Sequence, residues 1–220
     1  SWLVGLGMLL AAWIITTSAV NLWHRVKPGV GAGSLAARLR NSSPSYYGML
    51  LAHVGVAVFI AGVTLVKGYE SETDVKMQTG DSVKLAGYTF RFDGIADIKG
   101  PNYIAARATI EVIRDGGRVA TLYPEKRVYT VQNMPMTEAA INRGVTRDLY
   151  VALGEALTPT TWIVRVWYKP FVNWIWIGCL IMACGGLFAV SDRRYRVATR
   201  SAPLEPAAAL RRGADATPAG

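Results

Sequence analysis

Few side chains in this sequence are suited to chemistry, and one of them is in an unusual place. There are two histidines, His24 and His53, and two cysteines, Cys179 and Cys184. His53 lies in GMLLAHVGVAVFIAG, inside an uncharged run from Tyr46 to Val66. A polar ring there is costly and marks a functional position by default. An imidazole in such a run has three uses. It can hydrogen-bond a neighbouring helix, the commonest use, worth about 1 kcal/mol. It can relay a proton. It can also ligate haem iron through one ring nitrogen while the other holds a supporting partner. Residue type alone leaves all three open. His24, at the end of an earlier hydrophobic run, reads as an interfacial histidine. Cys179 and Cys184 are five apart, about 140° around a helix, so they do not pair with each other and read as buried small hydrophobes.

His53 is positioned by one of three long apolar runs. Trp2 to Leu22, Tyr46 to Val66 and Phe171 to Val190 contain no Asp, Glu, Lys or Arg, and His53 is their only histidine. Each is about the 20 residues that cross about 30 Å of hydrocarbon as a helix. Open strands cannot cross, because lipid offers no partner for their backbone. Trp23, Tyr46, Tyr47, Trp174 and Trp176 sit near the ends of the runs, where interfacial aromatics belong. His53 is three residues from Val56, the middle of its run, or about 4.5 Å along a helix. Gly48, Gly55 and Gly62 form a stripe every seven residues that invites close approach of another helix. His53 is turned about 140° from Gly48 and so faces a different neighbour. Ala57, one turn on, leaves room beside the ring for a flat macrocycle.

The charge distribution gives direction. The net charge is +9. Residues 23–45 carry four basic residues and no acid, residues 191–220 six basic and three acidic, and residues 67–170 fourteen basic and twelve acidic. The two short flanks therefore hold +7 of the +9, and by the positive-inside rule they face the cytoplasm. The excess is a topology signal with some attraction to membrane lipid. It is no nucleic-acid footprint, because no basic patch is interleaved with aromatics. The expected organisation is a transmembrane helix at 1–22, a cytoplasmic loop at 23–45, a second span at 46–66, an extracytoplasmic domain at 67–170, a third span at 171–190, and a basic cytoplasmic tail at 191–220 without fixed structure. Ser1 is followed at once by the first run, with no basic leader segment, which reads as a piece of a longer chain.

The domain at 67–170 has the period-two pattern of strands. Ile104 to Arg114 alternates, Asp115-Gly116-Gly117 turns, and Arg118 to Tyr123 resumes, a hairpin signal. Further strands are expected at 82–85, 88–92, 126–131, 149–153 and 161–168, and a short helix at 137–141. The fold class is an integral membrane α-helical protein with three transmembrane helices and an inserted, mostly antiparallel β extracytoplasmic domain, a sandwich or a barrel. That domain has no His, no Cys and no metal-ligand spacing. It reads as a docking domain rather than a catalytic one.

SPSYYGMLLAHVGVAVFIAGV, PEKRVYTVQNMPMTEAAI, DLYVALGE and VRVWYKPFVNWIWIGCLIMACGGLFAVSDRR, in this order and at these spacings, resemble the C-terminal third of the CcmF family of cytochrome c-type biogenesis proteins, together with its nitrite-reductase-associated paralogues. The resemblance implies the bacterial inner membrane, with the main soluble domain periplasmic. It implies a subunit of a haem lyase that attaches haem to apocytochrome c, with CcmH-like and CcmE-like maturation proteins as partners. It implies haem b in the membrane, taking electrons from quinol so that the delivered haem stays reduced. His53 matches one axial ligand of that haem, hence a ligand of haem iron. The partner histidine and a tryptophan-rich external haem-binding segment match positions upstream of this chain. No residue here is implied as catalytic, and the chain is expected to be inactive alone. Two readings remain beside it: a membrane scaffold whose outer domain docks a partner, and a proton-relay element of a transporter.

Overall fold

The computed structural model describes residues 1–27, 34–40, 42–131 and 133–192. Four helices are described: α1 Trp2–Val26, α2 Leu35–Arg40, α3 Pro44–Tyr69 and α4 Val172–Val190. Ten strands lie between α3 and α4: β1 Ser71–Gln78, β2 Ser82–Leu85, β3 Tyr88–Lys99, β4 Tyr103–Arg114, β5 Gly117–Leu122, β6 Glu125–Tyr129, β7 Pro135–Glu138, β8 Ala140–Asn142, β9 Arg147–Ala156 and β10 Thr161–Pro170. α1, α3 and α4 are long and apolar enough to cross a membrane. α1 runs four residues beyond the uncharged run and α3 three, because a helix continues through the interface until its caps. The expected tail at 191–220 lies outside the described residues from 193 onward.

α3 starts where its sequence says it must. Ser43 accepts the Tyr46 N–H, and Pro44 occupies the first turn, where its missing N–H costs nothing. At the same end, the Ser45 N–H donates to Asp192 Oδ2 from the end of α4, 3.3 Å away. A carboxylate there also complements the helix dipole. The glycine stripe carries α4. A Cβ on Gly55 would lie 2.7 Å from Met182 N, one on Gly48 2.5 Å from Gly185 O, and one on Gly178 2.6 Å from Phe59 N. Only glycine permits the two backbones to approach this closely. α1 packs antiparallel on the other side of α3, through Ala11, Ala57 and Ala61.

The strands form an antiparallel sandwich. One sheet has the order β1-β10-β9-β8, the other β2-β3-β4-β6-β7 with β5 also paired to β4. Phe90, Phe92, Ile110 and Val112 of one sheet meet Leu149, Val151, Leu153, Val164 and Val166 of the other in a dry core. The Asp115-Gly116 turn has both residues at positive φ, as a two-residue hairpin demands.

Two expectations are corrected and one strand is added. Residues 137–141 are no helix: β7 ends one sheet, β8 begins the edge of the other, and the chain crosses between them at Ala139. Helix-forming Glu138, Ala139 and Ala140 are overridden by the open edges they fill. The strand expected to stop at Phe92 continues to Lys99 through a bulge at Gly94, whose φ is +149°. β1, unmarked in the sequence reading, is a full edge strand, each of its eight residues paired with β10 from Ser71↔Tyr168 to Gln78↔Thr161.

The join between sandwich and helices is short. One residue, Glu70, separates α3 from β1, and one residue, Phe171, separates β10 from α4. Because β1 and β10 are ladder partners and α3 and α4 are packed partners, the two pairs form one continuous frame.

Candidate functional site

His53 sits on the α1 side of α3, about 40° around the helix from Ala57 and away from the glycine stripe. Its Nδ1 lies 2.8 Å from the carbonyl oxygen of Met49, one turn earlier. A carbonyl can only accept, so Nδ1 carries a proton, and in the neutral ring Nε2 presents its lone pair. The side chain is exposed on the three-helix unit. A groove of about 230 Å³ opens beside it, lined by Thr17, Ser18 and Asn21 of α1 and by Met49 and Leu50 of α3.

The polar wall of this groove was not anticipated. Thr17 and Asn21 are one turn apart on α1, so they share a face, and that spacing was the available signal. Tyr46 Oη donates to Asn21 Oδ1 at 2.9 Å, and the Arg25 guanidinium covers the Tyr46 ring at 4.3 Å. Thr17 Oγ1 donates to the carbonyl of Trp13 at 2.9 Å, which satisfies it within its own helix. His24 lines a separate cavity of about 660 Å³ that shares only Thr17 and Asn21 with the His53 groove.

Two local expectations fail. The space beside Ala57 is closed, because that residue is 2% exposed and packs under α1. The cysteines are not buried small hydrophobes in this unit either: Cys184 is exposed on α4 and Cys179 half-buried. A helix nearly apolar all round gave no sign of which side faced its neighbour.

The sandwich holds its charges in structural clusters. Glu125, 4% exposed, takes Arg107 Nε on Oε1 and Arg127 Nε on Oε2, both at 2.7 Å. Burial pushes its carboxyl up, but the hydrogen bonds and charges of Arg127 and Arg107 outweigh burial and leave it below the usual carboxylate range. Tyr88 Oη accepts from Arg114 Nη1 at 2.8 Å and Arg147 Nε at 3.0 Å. Burial pushes that phenol up, and the bonds from Arg147 and Arg114 bring it below its ordinary value. Among the described residues, no group of three or more His, Cys, Asp or Glu could hold a metal ion.

Comparison with known proteins agrees with the fold. Residues 68–170 match a family model described as the CcmF C-terminal beta-sandwich. The chain is 48% identical over 202 residues to the cytochrome c-type biogenesis protein CcmF of Pseudomonas aeruginosa, which covers 91% of the chain and 30% of that protein. It is 44% identical over 191 residues to CcmF of Escherichia coli K12, covering 87% and 28% respectively. The protein NrfE of Haemophilus influenzae is 31% identical over 189 residues, covering 86% and 27%. A solved structure titled cytochrome c heme lyase CcmF superposes with a TM-score of 0.62 at 18% identity, over 87% of this chain and 33% of the other, and shares the fold. The chain thus spans about 30% of the length of the curated relatives it matches.

Proposed function

Since this chain belongs to the CcmF family of cytochrome c-type biogenesis proteins, matching a C-terminal part of its members, we propose that it serves the haem lyase machinery that attaches haem to apocytochrome c. Within it, His53 would hold the iron of an intramembrane haem b. The observation that carries this reading is the imidazole itself. Its Nδ1–H is committed to the Met49 carbonyl and its Nε2 is free on an uncovered face near the middle of a membrane-spanning helix. Ligating histidines are held in this way, the second nitrogen fixing ring and tautomer.

The residues present fit one side of such a haem and no more. Nε2 of His53 would hold the iron, and Met49 and Leu50 would offer apolar contact. His24 opens on the neighbouring cavity, so it would not share that iron with His53. When bound, the group supplies one-electron transfer from quinol to haem awaiting attachment. The chain's own contribution is to hold one imidazole at a fixed depth. α1 braces α3 on one side through Ala11, Ala57 and Ala61, and α4 braces it on the other through the glycines.

In this reading the sandwich faces the periplasm of a bacterial inner membrane, with the basic flanks in the cytoplasm. It positions apocytochrome c and the CcmE-like and CcmH-like maturation proteins above haem bound elsewhere in the longer protein. The short joins at Glu70 and Phe171 suit that task, since they keep the domain from drifting relative to the spans.

The test is complementation in a strain whose own family member is deleted. His53→Ala in an otherwise complete protein should reduce covalent haem in a reporter cytochrome c at least tenfold, the scale of losing a ligand-support interaction, with the protein still present in the membrane. Full cytochrome yield from His53→Ala would contradict the role. The polar wall of Thr17, Ser18 and Asn21 favours a second reading, a proton relay; it predicts lost maturation with normal haem content.

A further inference from the structure

We infer that the loop between β8 and β9 is a lipid-headgroup seat: Val145 enters the non-cytoplasmic interface of the bilayer while Arg143 and Lys169 hold anionic phospholipid headgroups beside it. The inference rests on α3 and α4 as membrane spans and not on the haem assignment.

Depth is set by hydrogen bonds. Thr146 O accepts the N–H of Phe171 at 2.8 Å, immediately before α4. Asn173, in the first turn of α4, donates through Nδ2 to Gly144 O at 2.5 Å and to Asp148 Oδ1 at 3.2 Å. A loop tied at two points to the start of a membrane-spanning helix, with Asp148 of β9 bonded to the same Asn173, lies at interface depth. Gly144 makes the loop possible, since a Cβ there would lie 2.8 Å from Arg147 O.

At that depth the loop presents an apolar tip with cationic flanks. Val145 is 71% exposed, and Arg143 is exposed two residues before it. Lys169, on the adjoining end of β10, stands over the Tyr150 ring with Nζ 5.8 Å from its centroid, and the Arg143 charge acts on the same phenol. Of the acids nearby, Asp148 is buried and bonded, while Glu70 and Glu72 line a cavity with Lys67 and Lys169. Asp148 is 2% exposed and accepts from Gly144 N and Asn173. Glu72 accepts from Trp167 Nε1, and Glu70 pairs with Lys67. Among the described residues no ion pair engages Arg143 or Lys169. An exposed Arg143 and a half-buried Lys169, beside an apolar tip at the interface, are complementary to anionic headgroups over acyl chain. A valine so exposed in water would gain nothing there.

The experiment uses the full chain with Cys179→Ala and Cys184→Ala, carrying one environment-sensitive label at Val145→Cys, at Leu157→Cys in the membrane-distal β9–β10 loop, or at Trp176→Cys within α4. Each is reconstituted in phosphatidylcholine vesicles with and without phosphatidylglycerol. A lipid carrying a quencher near the top of its acyl chain should quench position 145 at least about twofold more than position 157. That difference should widen with phosphatidylglycerol, and Arg143→Glu with Lys169→Glu should remove the widening. If position 176 is quenched by lipid while 145 behaves like 157, the seat is overturned and the spans stand. If 176 is not quenched either, the α4 span and the seat fall together. Position 145 shielded from both lipid and water-soluble quenchers would mean a protein contact and would also overturn the seat.

Discussion

At the scale of single residues, burial decides what each polar group can do. His53 keeps one nitrogen occupied and one free because its acceptor is a backbone carbonyl, which cannot give a proton back. Glu125 shows the opposite economy: both carboxylate oxygens are taken, and the charge is held in place by two guanidiniums. Its depressed pKa has a definite consequence for stability. The ionised form is favoured in the fold, so the contribution is complete above the unfolded value near 4.3 and disappears as pH falls through the lower folded value. Glu125→Gln should lower stability at neutral pH by about 1–3 kcal/mol, the range for a hydrogen bond to a charged group. The gap to wild type should close as the pH falls below about 4. Thermal unfolding of the detergent-solubilised chain, followed by circular dichroism across pH, checks both. A gap that persisted unchanged at acid pH would mean that the charge of Glu125 is immaterial.

At the scale of elements, the glycines of α3 and α4 matter most. Gly55→Ala must push backbone against backbone at Met182 and Gly178, whereas a Cβ on Gly186 meets nothing within 4 Å. Gly55→Ala should therefore cost about 1–3 kcal/mol, as overpacking does, and Gly186→Ala should be neutral or slightly favourable in a helix. The unfolding midpoint in detergent separates the two. Equal effects would show that the close approach is not what holds the pair. This contrast was half legible in the sequence. The seven-residue spacing of Gly48, Gly55 and Gly62 announced a contact face, and α4 fills it with Gly178 and Gly185 in return. β1 was illegible because SETDVKMQ is an edge strand with polar residues on its open side; only Val75 and Met77 hint at the core, and Met77 alone of the eight is buried. Residues 137–141 misled in the other direction, since helix-forming residues there fill two sheet edges. Gly94 read as a stop because a bulge and a turn use the same residue for different reasons.

At the scale of the whole molecule, the frame is one piece from α3 through β1 and β10 into α4, with α1 alongside. The three spans and the β-rich insert were legible because lipid forces long uncharged runs and a two-layer sheet forces alternation. The candidate site was legible in part. His53 stood out by its type in its context, but its Met49 partner, the Thr17–Ser18–Asn21 wall and the closure of the Ala57 face depend on which helix packs where, and a local pattern does not encode that. The outer domain, read from its sequence as a docking domain, holds structural ion clusters over a dry core. In the proposed function its value is positional.

The most direct test of the His53 assignment is a reduced-minus-oxidised absorbance spectrum of the purified protein, with the chain joined to the preceding portion of the family's length. Wild type should show a b-type band, and His53→Ala should lose most of that band and of its haem content while the sandwich stays folded. A normal b-type spectrum with full haem in His53→Ala would contradict the account.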